Sequence, residues 1–63
     1  MEEFEKGERV ELVHTADEYT RLQQGDQGTV ARWDARLGHL EVDWDSGSKL
    51  TIIPELGDEV RRF

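Results

Sequence analysis

From His39 to Trp44 the chain reads HLEVDW, with an apolar side chain at Leu40, Val42 and Trp44 and a polar one at each position between. Successive side chains of a β-strand point to opposite faces, so this alternation fixes a strand with one dry and one wet side. Asp45-Ser46-Gly47-Ser48 follows, residues typical of tight turns, and Lys49 to Ile53 (KLTII) is rich in β-branched residues. Together they predict a hairpin whose second arm is Lys49 to Ile53, closed by Pro54, which cannot donate to a ladder.

The rest of the chain divides the same way. Glu8 to His14 (ERVELVH) alternates, with Val10 and Leu12 on one face and Arg9 and Glu11 on the other, giving a first strand. Thr15 to Gln24 is expected to be a structured loop anchored by Tyr19 and Leu22; Thr15 and Glu18 have the spacing of a weak capping box. Gly25 and Gly28 bracket a turn in which positive φ is cheap only for glycine. Thr29 to Asp34 (TVARWD) is then a second strand, Ala35 to Gly38 a short loop, and Glu59 to Phe63 a short fifth strand with Val60 inward. The opening Met1 to Lys6 is expected to be a flexible acidic tail, with Phe4 its only residue able to dock, and residues 7–63 a single domain.

Four or five short antiparallel strands with glycine turns predict an all-β fold, a small SH3-like antiparallel barrel. At 63 residues the chain has no long helix to cover a flat sheet, and wrapping buries one face of every strand instead. The expected core is Val10, Leu12, Leu22, Val30, Leu40, Val42, Trp44, Leu50, Ile52 and Val60.

Composition narrows the function classes. Eight Lys and Arg stand against fifteen Asp and Glu, a net charge of −7 spread along the chain, which argues against general DNA or RNA binding. There is no cysteine, so disulfides and thiolate metal clusters are excluded and a reducing, cytoplasmic setting is expected. No apolar run exceeds three residues, too short for a membrane span.

A set of residues also carries a family pattern: Gly7-Glu8-Arg9-Val10-Glu11-Leu12, Thr15, Asp17, Tyr19-Thr20, Leu22, Gly25-Asp26-Gln27-Gly28-Thr29-Val30, Val42-Asp43-Trp44-Asp45, Gly47-Ser48, Leu50 and Ile53-Pro54. Over about residues 6 to 59 the chain resembles domain-of-unknown-function family 4314, small bacterial, phage or plasmid proteins. The resemblance implies a small domain with no assigned activity and no catalytic residues to carry over. Ser46 stands where the pattern leads one to expect Asn, and Leu56-Gly57 replaces a tighter Gly-Glu or Gly-Asp ending. The Trp-Asp-x-Gly hairpin also looks like that of SH3-like modules that bind peptides, which suggests Trp44 inward and Asp45 bonded to the N–H groups of its turn.

Catalytic and metal chemistry find little support. Asp43 and Asp45 share a face, but counting Asp43 as position one of a calcium loop puts Gly47 at five instead of six and Pro54 at twelve, where a Glu is required. A turn-capping and solubilising role is the better reading of this pair. His14 and His39 lie 25 apart with no cysteine, and Ser46 and Ser48 have no neighbouring histidine. Gly25-Asp26-Gln27-Gly28-Thr29 lacks the Lys and helix of a phosphate loop. No cofactor or metal is expected, and no enzyme.

Trp33 is the anomaly. If Val30 faces inward, strict alternation turns Arg32 in and Trp33 out. Either a bulge resets the strand after Ala31 and buries Trp33, or Trp33 stands exposed beside Arg32, Arg36 and His39 as a contact site. Arg61-Arg62 either extends that positive patch or is plain solvent-facing charge. The leading expectation is a non-enzymatic protein-interaction module with an unidentified protein partner, using Tyr19, Arg32, Trp33 and Arg36. Alternatives are an oligonucleotide-binding barrel using Trp33 and nearby Arg, and an acidic nucleic-acid mimic that occupies a DNA-binding enzyme. Monomer and homodimer both remain open.

Overall fold

The computed structural model describes residues 3–63. Five strands form: β1 (Arg9–His14), β2 (Gln27–Asp34), β3 (His39–Trp44), β4 (Thr51–Ile52) and β5 (Glu59–Arg62), with a 3-10 helix at Pro54–Leu56 between the last two. All neighbours are antiparallel, in the order β4-β3-β2-β1-β5. The all-β expectation therefore holds. No α-helix covers the sheet among the described residues, yet Val10, Leu40, Val30, Leu12 and Ile52 are each 1% exposed or less, so the sheet covers itself by curling. The 3-10 helix ties its two outermost strands together. Among the described residues no helix is long and apolar enough to cross a membrane.

Inward positions follow the alternation. Val10 and Leu12 of β1, Leu40, Val42 and Trp44 of β3, Ile52 and Val60 form one cluster with Val30 and Leu22. Leu50 packs against that cluster without being buried. Phe4 joins it at 8% exposure, so the acidic segment expected as a tail is seated on the domain from Phe4 onward; Met1 and Glu2 lie outside the described residues.

Three local expectations are corrected. The second arm of the hairpin pairs only at Thr51 and Ile52, because Leu50 turns its carbonyl to the Trp44 indole (Nε1 to O, 3.0 Å). Gly28 lies inside β2, not in the turn, opposite Trp44; a Cβ there would meet Val42 Cγ1 at 2.6 Å, so its value is close approach, while Gly25 is the one of the two at positive φ, 96°. Tyr19 anchors nothing and is 94% exposed. Leu22 docks the loop from Thr15 to Gln24, and side-chain oxygens of Thr15, Asp17 and Thr20 accept backbone N–H bonds from Asp17, Tyr19 and Leu22 along it.

The domain is bolted where β1, β4 and β5 converge. Asp58 is 8% exposed, and its carboxylate accepts from the Thr15 hydroxyl (2.9 Å), Ala16 N–H (2.7 Å) and Ile53 N–H (2.9 Å). Burial pushes this carboxyl upward, but the Ile53 and Ala16 amides, the Thr15 hydroxyl and the charge of His14 outweigh it and hold Asp58 below its ordinary value.

Candidate functional site

The Trp33 anomaly resolves through the backbone. The β2–β3 register runs Val30 opposite Val42, then Arg32 opposite Glu41 and Trp33 opposite Leu40, so two steps on β2 match one on β3. Ala31 is the extra residue of a bulge. Beyond it Arg32 turns outward, 3.5 Å from Asp34 and 3.6 Å from Glu41, and Trp33 turns to the side of Leu40. Trp33 is half-buried and meets the Phe4 ring edge-on, with centroids 5.7 Å apart at 63°. Its indole N–H is buried and has no acceptor among the described residues.

The loop that follows is built by Asp34. Its carboxylate accepts the N–H groups of Arg36 (3.1 Å) and Leu37 (3.3 Å), and its carbonyl accepts from Gly38, whose φ of 67° closes the turn. This bend lifts Arg36 and Leu37 to the rim of a groove of about 450 Å³, walled by Phe4, Trp33, Leu37 and Pro54 and flanked by Arg36 and Glu55. Leu37 is 57% exposed there. Of the expected contact residues, the structure brings together Trp33 and Arg36. Arg32 lies on the outer face in ion pairs, and Tyr19 stands on a different loop outside the groove lining.

The outer face of the sheet is a mosaic of ion pairs. Arg9 grips Asp45 with both arms of its guanidinium (2.9 and 2.6 Å) and also reaches the Thr29 hydroxyl at 2.9 Å. That contact lowers the Asp45 pKa and raises that of Arg9. Asp45 thus ties β1 to the end of β3 instead of capping its own turn, and Asp43 meets Lys49 at 3.3 Å. Arg61 pairs with Glu11 at 2.6 Å and Arg62 with Glu8 at 2.6 Å, so the terminal arginines are engaged across the sheet. Glu8 is held below its ordinary value first by a backbone hydrogen bond from Glu5 and then by Arg62. Among the described residues no three His, Asp or Glu side chains gather as a metal site.

Phe4, Leu37 and Pro54 are the wall residues that sequence reasoning did not assign to a site. Phe4 carried a signal as the lone aromatic in an acidic segment; Leu37 and Pro54 carried none beyond turn chemistry. No curated protein and no solved structure matches the chain. A family model does match, over residues 1–63, and the chain accordingly belongs to the family described as domain of unknown function DUF4314.

Proposed function

We propose that this chain is a non-enzymatic protein-interaction module whose groove between the β2–β3 loop and Pro54 receives an apolar side chain of a partner peptide. The carrying observation is the groove itself: Leu37, more than half exposed, and half-buried Trp33 line it together with Phe4 and Pro54, so that apolar side chains from three separate segments meet in one concavity. Arg36 and Glu55 at its rim supply charges of both signs, suited to orienting a peptide. Pairing of Glu8, Glu11, Asp34, Glu41, Asp43 and Asp45 with arginine or lysine breaks up the carboxylate rows that a nucleic-acid mimic needs, which favours the peptide reading. Arg32 stands on the outer face beside Asp34 and Glu41 and outside the groove lining, so it does not join Trp33 and Arg36 in one positive patch, which weakens the oligonucleotide reading.

Peptides selected from a displayed library on the intact protein test this. Leu37→Ser, at an exposed position, is expected to weaken the selected peptides by about tenfold or more with little change in melting temperature. Tyr19→Ala is expected to leave them unchanged. Equal binding by wild type and Leu37→Ser, or a fluorescence response to single-stranded oligonucleotide at low salt that Leu37→Ser leaves intact, refutes the proposal.

A further inference from the structure

Phe4 and Pro54 are shared between the groove and a second recess of about 310 Å³, lined otherwise by Leu40, Ile52 and Val60 with Asp58 and Glu59 at its edge. The residues that bring Phe4 there, Glu3 to Lys6, join no strand. They lead into a turn in which Glu8 N–H bonds the Glu5 carbonyl at 3.1 Å and Gly7, at φ 96°, donates to Val30 at 2.8 Å. Phe4 is therefore held by its side chain. The Arg62 guanidinium lies 4.3 Å over its ring, the Trp33 edge meets it at 5.7 Å, and Arg62 donates to the Glu3 carbonyl. These contacts are those of a bound peptide: a cation on an aromatic face, a donor on the preceding carbonyl, and an aliphatic floor.

We infer that the seat under Arg62 is a recognition site for an aromatic side chain in an acidic segment, and that Glu3-Phe4-Glu5 fills it as an internal ligand. This rests on reading the groove as an interaction surface. A partner segment presenting an aromatic residue between carboxylates displaces the arm and joins groove and recess into one cleft. The ring supplies the quadrupole that Arg62 reads, and the main-chain carbonyl before the ring accepts from the same guanidinium, which also pairs with Glu8. Because the arm occupies the seat, the affinity of the intact protein for such a segment is reduced by the fraction of molecules with the arm undocked.

The test uses the full chain carrying Phe4→Ala and the acetylated, amidated peptide Glu-Glu-Phe-Glu-Lys, followed by the Trp33 indole N–H resonance. Phe4→Ala is expected to bind the peptide about tenfold more tightly than wild type, and to bind a version with leucine for phenylalanine about fivefold more weakly than the original. Where circular dichroism shows Phe4→Ala unfolded, Phe4→Leu keeps the apolar bulk and is expected to give the same order. No gain over wild type in a folded variant, or no preference for the aromatic peptide, overturns the inference. Sedimentation of the wild type is expected to give a monomer; a dimer abolished by the Phe4 variant overturns it too, by assigning the seat to the arm of a second copy. Failure here with continued dependence of library peptides on Leu37 removes only the internal ligand and leaves the groove reading standing.

Discussion

Two buried polar groups lie beside the same small core, and the fold treats them differently. At the junction of β1, β4 and β5, the Asp58 carboxylate meets three donors within 2.9 Å, two of them main-chain amides from separate segments. At the groove, the Trp33 indole N–H is equally hidden and has no acceptor among the described residues. Buried polar groups are normally satisfied, because leaving one unpaired costs about 1–3 kcal/mol. Asp58 thus marks a place organised for stability. Trp33, beside exposed Leu37 and a side-chain-held Phe4, carries an uncompensated cost at the groove proposed above to receive a partner.

The largest expected effect tests the first half of that contrast. Asp58→Ala strands the amides of Ala16 and Ile53 and is expected to cost about 3 kcal/mol, a large share of the stability of so small a domain. Asp58→Asn keeps the shape but replaces one acceptor oxygen with an amide donor that must face another donor, so it should cost about 2 kcal/mol. Urea unfolding followed by tryptophan fluorescence measures both. A loss under about 1 kcal/mol for the alanine variant would show that the junction is not the bolt described.

Acid sharpens the same point. The folded-state pKa of Asp58 is depressed below its ordinary 3.8, so its contribution is fully present above that value and is lost as pH falls through the lower folded value. Asp45 and Glu8 are also depressed and act in the same direction, but they are exposed pairs that salt screens. Stability should therefore fall as pH drops below about 4, and the drop should be shallower in Asp58→Asn at high salt. Parallel pH profiles for the two proteins would place the acid sensitivity elsewhere.

Alternation made β1 and β3 legible, since Val10, Leu12, Leu40, Val42 and Trp44 each fall on the inward face that a period of two assigns. The conflict at Arg32 and Trp33 was also legible, as a choice between a bulge and an exposed ring; only the β3 register decides between them. What could not be read was long-range. Phe4 is secured by Arg62 and Trp33, and Asp58 takes two of its donors from residues more than forty positions earlier. Leu50 fits a strand pattern, yet the Trp44 indole claims its carbonyl, a side-chain bond that no periodicity encodes. The groove was half visible for the same reason: Trp33 and Arg36 come from one hairpin, whereas Phe4 and Pro54 arrive from distant parts of the chain.

The smallest expected effect is the most discriminating, because the chain carries its own control. Trp44 is 4% exposed and its indole donates to Leu50 at 3.0 Å; Trp33 is half-buried and donates to no described residue. Trp44→Phe removes a made hydrogen bond and leaves packing unfilled, a cost of about 2 kcal/mol. Trp33→Phe removes an unpaired donor while keeping a ring against Phe4, so the relief of desolvation offsets the lost area and the net change should stay within about 1 kcal/mol. Equal costs for the two variants would mean that the Trp33 N–H is satisfied after all, and the contrast between the two buried groups would fall with it. A gap of the expected size, together with weaker capture of library peptides by Trp33→Phe, would locate the ring's value in binding instead of in the core.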